Sequence, residues 1–356
     1  MAIWTRLAAY SHSEVLKLIA RLGPGVVFGH IKKLIPGLLV TILVAMAAAF
    51  LGSHYKGSIL LFALLLGLAL HFISEDKRCQ AGIQFASTTL LRLGVAFLGL
   101  RLSIDHLVSL GWQTASALFV AVSLTIVLGV LLARMFKVDV SLGVLIGGAT
   151  AICGASAALA ISSVLPKSVT LERDTTLTVI GVTTLSTVAM VVYPLITEWL
   201  GFDALTAGLF IGATIHDVAQ VVGAGYGLSP AAGDAATITK LMRVALLVPV
   251  LFVISMFMGG NRLAEGDAAV KTPLLPWFAV AFIVLMLINS TGWVPGDIRS
   301  GASSTSQAFL VLAIAAVGLK TSLKEVTQLG WRPVAMIFMV TLGLATICGG
   351  YLVVTC

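Results

Sequence analysis

Long apolar runs recur along this chain from Leu34 to Val354, and they limit its fold more than any other feature. Each run is long enough to cross about 30 Å of hydrocarbon as a helix. Runs such as ILLFALLLGLAL are apolar on every face, whereas barrel strands alternate over roughly ten residues. With 59% hydrophobic and 10% charged residues, the 356-residue chain has too little polar surface for a soluble globule. The sequence therefore predicts an all-α polytopic membrane protein.

The apolar pattern also predicts the domain organisation. We expect about eleven hydrophobic segments, at roughly 34–52, 57–73, 81–101, 107–135, 139–165, 174–198, 204–226, 235–258, 274–291, 302–319 and 326–354. The longest polar connection, residues 259–272, is too short to fold alone, so residues 34–356 are predicted to form one transmembrane domain. Residues 1–33 mix basic and apolar positions without a signal-peptide pattern, which indicates a cytoplasmic amphipathic segment.

An internal repeat joins the third segment to the tenth. Residues 93–112 match residues 312–331 without a gap at an offset of 219, with eight of twenty positions identical. Seven membrane crossings separate the copies, so we expect them to run in opposite directions. The repeat-related parts, residues 57–136 and 274–356, therefore form an inverted repeat, which is typical of secondary transporters.

Two further segments share a glycine-rich interruption. GATAICGAS (148–156) lies in segment 139–165, and GATIHDVAQ (212–220) lies in segment 204–226. Irregular backbone is tolerated at membrane depth only where protein buries it or water reaches it. We therefore predict two discontinuous helices near the midplane, either re-entrant hairpins or broken spanning helices. The hairpins are preferred, since they also keep the sixth and eighth segments antiparallel.

The basic residues favour a cytoplasmic N-terminus in both alternatives. With hairpins, the outer connections hold three basic residues, Lys56, Arg101 and Arg299. The cytoplasmic connections then hold fifteen: Arg6, Lys17, Arg21, Lys32, Lys33, Lys77, Arg78, Arg134, Lys137, Lys167, Arg173, Arg262, Lys271, Lys320 and Lys324. With broken spanning helices, Lys167 and Arg173 move outside and the division becomes thirteen against five.

The interruptions are the candidate binding site. A broken helix exposes free N–H groups that hold anions, while its carbonyl ends hold cations. The predicted substrate contacts are Thr150, Cys153, Gly154 and Ser156 in the first segment, and Thr214 and Gln220 in the second. The alternative for the first segment is tight helix packing by small residues.

His216 and Asp217 are the candidate ion-coupling pair. An intramembrane carboxylate costs about 2.5–3.5 kcal/mol on insertion scales, so it usually has a role or a partner. Histidine and a desolvated aspartate can both carry a coupling proton, and aspartate can bind sodium. Pairing with Lys240 or Arg243, or a place at the aqueous rim, are the alternatives.

Lys240 and Arg243 lie three positions apart and therefore share one face of a helix. If they face the cavity, they form a two-cation anchor, in which the arginine fork suits a sulfonate, sulfate or carboxylate. The alternative is snorkelling to the membrane interface. Arg92, in the middle of the third segment, is a weaker candidate of the same kind.

Other classes of function find no support in the sequence. It has no phosphate-binding loop, no metal-binding His-Glu-x-x-His or Cys-x-x-Cys spacing, and no base beside Cys153. We expect no enzyme activity, no resident metal and no cofactor other than a coupling Na⁺ or H⁺. The net charge of +7 reflects the positive-inside effect and does not indicate nucleic acid binding.

GGATAICGASAALA, GATIHDVAQVVGAG and KLMRVALLVPV, spaced as they are, resemble the bacterial sulfate exporter family of inner-membrane proteins, over nearly the whole chain. The resemblance implies relatives among cation/proton antiporters and bile acid:sodium symporters, with discontinuous helices crossing near the midplane. Their His-Asp-x-x-Gln falls on His216, Asp217 and Gln220, and their Lys-x-x-Arg on Lys240 and Arg243. A homodimer is common among such relatives. The usual two consecutive five-helix halves are not recovered from this sequence.

The sequence therefore predicts a secondary transporter of a small anion, sulfate or an organosulfonate, in the bacterial inner membrane. Export is implied by the resemblance alone. The partners are the anionic solute and the lipid bilayer. One rival is a sodium/proton antiporter that uses Asp217. Another is a channel or a non-transporting membrane scaffold.

Overall fold

A computed structural model describes residues 24–55, 57–105, 111–166, 168–258, 276–321 and 330–355, with side chains from Lys32 onward. No residue in these ranges is in a β-strand. The helices are α1 (Pro24–Tyr55), α2 (Ile59–Ala69), α3 (Lys77–Leu98, with a π turn at Ala86–Leu90), α4 (Gly111–Met135), α5 (Val140–Ala151), α6 (Ala155–Val164), α7 (Leu171–Trp199), α8 (Ala204–Thr214), α9 (Val218–Leu228), α10 (Pro230–Ala245), α11 (Leu247–Met258), α12 (Trp277–Ser290), α13 (Gly296–Lys320) and α14 (Trp331–Thr355).

Several of these helices are long and apolar enough to cross a membrane. Within the described ranges there are seven such spans, formed by α1, α3, α4, α7, α10 with α11, α13 and α14. Large apolar side chains such as Phe50, Phe252 and Phe257 are exposed on the outside of the bundle, as lipid-facing residues are. The prediction of an all-α polytopic membrane protein is confirmed. Most of the predicted amphipathic segment, residues 1–23, lies outside the described residues.

Both interrupted segments are helical hairpins. A Cβ on Gly148 in α5 would collide with the side chain of Ile161 in α6, although thirteen residues of straight helix span about 20 Å. Likewise, Cβ atoms on Gly208 in α8 and Gly225 in α9 would lie 2.5 and 3.2 Å from the same carbonyl oxygen, that of Ala232. The two helices of each pair therefore run antiparallel. We call α5–α6 hairpin 1 and α8–α9 hairpin 2.

The hairpins enter the bundle from opposite ends. Hairpin 1 follows α4 and leads into α7, so the ends of these helices at Met135 and Leu171 define end A. Because hairpin 1 returns to the end at which it began, α7 carries the chain across to end B at Trp199. Hairpin 2 begins and ends there, and α10 with α11 returns to end A.

The inverted repeat is visible as repeated contacts. Gly94 of α3 packs on Leu310 of α13, and Ser306 donates a hydrogen bond to the Gly94 carbonyl (2.7 Å). A Cβ on Gly99 would collide with a backbone carbonyl of α12, and one on its repeat counterpart Gly318 would collide with a carbonyl of α2. The two copies thus make matching close contacts with different neighbours, as a two-fold relation requires.

Candidate functional site

The tips of the two hairpins touch in the middle of the bundle. Gly154 follows the end of α5 with a φ of +65°, a conformation that favours glycine. A Cβ at Gly154 would lie 3.8 Å from the Cβ and the carbonyl oxygen of His216, which is ordinary contact. Around His216 the backbone of Ile215 and Asp217 is extended, so α8 ends before α9 begins. The predicted interruptions are therefore real breaks, and they meet.

Lys240 of α10 joins the two hairpin tips. We call its side of the tips the back. Its Nζ donates hydrogen bonds to the carbonyl oxygens of Ile152 (2.7 Å) and Ile215 (2.9 Å), one from each hairpin. The side chain is completely buried. Helix C-terminal ends carry partial negative charge, so this ammonium group neutralises two of them at once.

Arg243, one turn further along α10, serves the same two helix ends and is also completely buried. Its Nη1 donates to the carbonyls of Gly212 (3.0 Å) and Ile215 (3.1 Å) in hairpin 2. Its Nε and Nη2 donate to Ala151 (2.8 and 2.6 Å), and Nη2 also donates to Thr150 (2.9 Å). Every guanidinium nitrogen therefore has a backbone partner. Substrate contact by Lys240 or Arg243 stays a prediction, and the observed geometry assigns both a role in joining the hairpins.

Three other predicted residues also lie behind the tips. Thr214 donates to the Phe210 carbonyl of its own helix (2.6 Å). His216 Nε2 lies 3.0 Å from the Thr341 hydroxyl of α14, and the histidine is fully buried. Thr150 is buried as well, and its hydroxyl has no partner among the described residues. None of the three lines the tip cavity described below, and their predicted roles in substrate binding and coupling remain untested.

A cavity of about 550 Å³, which we call the tip cavity, lies on the other side of the tips. It is bounded by α3, α7, α13 and both hairpins. The predicted residues that line it are Cys153, Ser156, Asp217 and Gln220. Arg92 also lines it, together with Lys320, which sequence reasoning assigned only to the orientation of the chain. Neither basic residue is in an ion pair among the described residues.

The two helices that begin at the tips differ in how their first N–H groups are satisfied. Asp217 caps α9, because its Oδ1 accepts a hydrogen bond from the Ala219 amide (3.0 Å). Gly154 at the start of α6 offers no side-chain cap. The nearby Ser156 hydroxyl lies 2.8 Å from the Cys153 sulfur instead. The positive end of α6 therefore faces the cavity without a side-chain acceptor of its own.

Asp217 and Gln220, which both line the tip cavity, carry oxygen acceptors. Gln220 is 2% exposed, and its Nε2 donates to the Thr187 hydroxyl (2.7 Å). Thr187 gives its own proton to the Thr183 carbonyl (3.0 Å), so it must accept from Gln220, which fixes the orientation of the amide. Gln220 Oε1 is thereby left without a partner among the described residues. A buried carbonyl oxygen of this kind requires a donor or a cation.

Several cavity residues were missed by sequence reasoning. They are hydroxyl side chains in α3 and α7, namely Ser87, Thr88, Thr183 and Thr184. The runs ASTT (86–89) and TTLST (183–187) inside apolar helices were the available signal. Lys320 also had a signal, because the 219-residue offset relates it to Arg101. Hydroxyl groups in a membrane helix also bond to their own backbone, so composition alone does not identify a cavity.

Two hairpins whose tips meet beside a charged cavity, inside an inverted repeat of helices, define a polytopic membrane protein of transporter-like architecture. The chain belongs to the family described as conserved hypothetical protein 698, whose model matches residues 36–337.

Its relatives are membrane proteins of similar length. It is 48% identical over 319 residues to a UPF0324 membrane protein of Chlorobaculum tepidum, covering 89% of each chain. It is 46% identical over 318 residues to the UPF0324 membrane protein TauZ of Paracoccus denitrificans, covering 89% of this chain and 94% of that one. No solved structure matches. The link to sulfate export stays a prediction.

Proposed function

We propose that this protein is a secondary active transporter of a small anion, sulfate or an organosulfonate, which works by alternating access. One observation carries the proposal: the tip cavity is lined by both hairpin tips and by two basic side chains, Arg92 and Lys320, that lack ion-pair partners among the described residues. Its volume of about 550 Å³ lies within the roughly 300–1,000 Å³ range of small-molecule sites.

The anion would bind at the start of α6. The uncapped N–H groups and the positive end of the helix dipole lie in the lining of the same cavity as the Arg92 side chain. The Ser156 hydroxyl, which donates to the Cys153 carbonyl (3.4 Å), lines the same cavity. Lys320, at the last residue of α13, would attract the anion at the mouth of the cavity. Lys240 and Arg243 would hold the tips together from the side opposite the cavity.

The coupling ion would bind on the opposite wall. Asp217 supplies a carboxylate, and Gln220 supplies the carbonyl oxygen that has no described partner. Thr183 and Thr184 donate their protons to backbone carbonyls (2.7 and 2.9 Å), so they offer further acceptor oxygens. A wall of oxygen acceptors with a single carboxylate suits Na⁺. Neither a resident cofactor nor a catalytic residue is part of the proposal.

The charge distribution supports one orientation in the membrane. End A carries Lys77, Arg134 and Lys320, so the positive-inside effect assigns it to the cytoplasm. The N-terminus would then be cytoplasmic, the hairpins would be re-entrant, and the tip cavity would open to the cytoplasm. The lipid bilayer is the other partner, in a bacterial inner membrane. The oligomeric state is left to experiment, with a homodimer as one outcome.

Proteoliposomes containing the full chain test the anion site. Uptake of radiolabelled sulfate, organosulfonates and carboxylates is measured with and without a sodium gradient. We expect one of these anions to accumulate, and Arg92→Gln to raise its half-saturating concentration about tenfold, the loss expected for one charged hydrogen-bonding group. Arg299→Gln is the control, because Arg299 is exposed and lines no described cavity. Equal uptake by both variants would remove Arg92 from the site.

The oxygen-lined wall also favours a second candidate, a sodium/proton antiporter. In that case Asp217 exchanges a proton for sodium and no anion is needed. The same proteoliposomes, loaded with a pH-sensitive dye, distinguish the two functions. Sodium-driven proton movement in the absence of any transported anion would support the antiporter. Proton movement that requires the anion, or none at all, would support the anion transporter.

A further inference from the structure

A second cavity, related to the tip cavity by the repeat, lies at the other end of the bundle. We call it the Arg101 cavity; it has a volume of about 390 Å³. Five residue pairs separated by 219 positions each place one member in the tip cavity and the other in the Arg101 cavity: Thr88/Gln307, Leu91/Leu310, Arg92/Val311, Val317/Leu98 and Lys320/Arg101. The two cavities are therefore equivalent positions of one inverted repeat.

Two residues that line the Arg101 cavity, Arg101 and Tyr226, take part in an ionic contact with Asp234. Arg101 Nε lies 3.3 Å from Asp234 Oδ1, and its Nη2 donates to Asp234 Oδ2 at 3.3 Å. The Tyr226 hydroxyl donates to Asp234 Oδ1 (2.5 Å), and the guanidinium carbon lies 5.4 Å from the centre of the tyrosine ring. This contact ties the end of α3 to hairpin 2 and α10, and no tip residue lines the Arg101 cavity.

At end A the repeat counterpart of Arg101 is not paired. Lys320 is exposed and is in no ion pair among the described residues. Asp234 lies near the start of α10, the helix after hairpin 2, and α7 is the helix after hairpin 1. Glu172, at the start of α7, is also exposed and is in no described ion pair.

Helix geometry places Glu172 on the face of α7 that lines the tip cavity. Val179 and Thr183 of α7 line the cavity, and Glu172 precedes them by seven and eleven residues. At about 100° per residue, these separations differ from two and three whole turns by roughly 20° each, so the three side chains share one face of the helix. Asp174 is buried, and it is nine residues from Thr183 and so points about 180° away. Glu172 is therefore the acidic residue of this turn that faces the mouth of the cavity.

We propose that Arg101 and Lys320 are alternating latches. In the conformation described, Arg101 binds Asp234 and Tyr226 and closes end B, while none of the described residues forms an equivalent contact at end A. In the opposite conformation Arg101 releases Asp234, and Lys320 binds Glu172 and closes end A. The inference goes beyond the proposed function, because it identifies the contacts that hold each of the two states.

Maleimide labelling of the purified full chain tests the exchange without any substrate. Cys153, which lines the tip cavity, reports on end A, and a Leu310→Cys substitution at a buried position of the Arg101 cavity reports on end B. Peptide mass spectrometry measures both rates. We expect Arg101→Gln to raise the ratio of the end B rate to the end A rate about fivefold, because labelling of Cys153 slows while labelling at position 310 becomes faster. Arg299→Gln is the matched control.

Glu172→Gln should act in the opposite sense, lowering that ratio, while Glu75→Gln at the same end of the bundle should leave it unchanged. Tyr226→Phe keeps the ring and removes one hydrogen bond, so a smaller rise than that of Arg101→Gln is expected, even if the latter folds poorly. Faster end B labelling with Cys153 unaffected would overturn the exchange, as would no change in any variant. An unchanged ratio in Glu172→Gln would remove the Lys320–Glu172 latch. Either failure leaves the proposed anion site standing, because uptake assays test that separately.

Discussion

Two pairs of basic side chains lie near the hairpin tips, and their surroundings are opposite. Lys240 and Arg243 are fully buried behind the tips, where backbone carbonyls from both hairpins surround them. Arg92 and Lys320 line the tip cavity in front of the tips and have no described ion-pair partner. Lys240 and Arg243 bind the partially negative carbonyl ends of the broken helices. The positive charges of Arg92 and Lys320, by contrast, are available to a ligand.

The difference explains how two broken helices remain stable in one core. The C-terminal carbonyl groups of the two broken helices lie close together in the core. A carbonyl oxygen there without a hydrogen-bond donor would cost about 1–3 kcal/mol of stability. Lys240 and Arg243 donate hydrogen bonds to the carbonyl oxygens at these ends, in the place that a bound cation would otherwise fill. The N-terminal ends of α6 and α9 lie on the cavity side of the tips. Among the described residues, Asp217 is the acidic side chain that caps one of them, at the start of α9.

The largest effect should come from Arg243→Ala. It removes five hydrogen bonds and leaves a buried cluster of carbonyls without a donor. We expect a loss of about 3–5 kcal/mol, seen as a large fall in the thermal midpoint in detergent. Arg92→Ala, the same change in front of the tips, should leave the midpoint nearly unchanged. Similar midpoints for the two variants would mean that the pairs do not differ as described.

Lys240→Met should destabilise less. The variant keeps the apolar stem and removes two hydrogen bonds, so about 1–3 kcal/mol is expected from the unsatisfied Ile152 and Ile215 carbonyls. Unfolding in detergent measures it beside Arg243→Ala. A loss larger than that of Arg243→Ala would show that Lys240, and not Arg243, is the main tie between the hairpins.

Asp217→Asn should change function more than stability. Asparagine retains an oxygen for the Ala219 amide, so the cap of α9 is kept while the carboxylate charge is lost. We expect the half-saturating sodium concentration for anion uptake to rise about tenfold or more. Uptake with an unchanged sodium requirement would exclude Asp217 as a ligand of the coupling ion.

Lys320→Gln should give the smallest effect. Lys320 is exposed at the mouth of the tip cavity, where water and salt screen its charge. We expect about a threefold rise in the half-saturating anion concentration at low ionic strength, which shrinks as salt is added. A loss that persists in high salt would place the ammonium in direct contact with the bound anion.

The sequence was sufficient for the fold class, the inverted repeat and the two interrupted segments. Hydrophobicity, a gapless match and the shared Gly-Ala-Thr opening are local signals, and each has a direct structural cause. Which side of the tips a residue occupies is a tertiary property that spacing does not contain. Lys240 and Arg243 share a helix face as predicted, but that face is turned toward carbonyl ends. Lys320 was assigned only to the orientation of the chain, because a lysine at a helix end is usually an interfacial anchor.

The most direct test of the anion site is ligand protection of Cys153 in the unmodified full chain. Its sulfur lines the tip cavity beside the start of α6. We predict that sulfate or the transported organosulfonate slows maleimide labelling of Cys153 in a saturable manner, while chloride at equal ionic strength does not. Buried Cys348, which lies outside the tip cavity, serves as the internal reference. Cys153 labelling that is the same in saturating sulfate, organosulfonate and chloride would contradict an anion site at the hairpin tips.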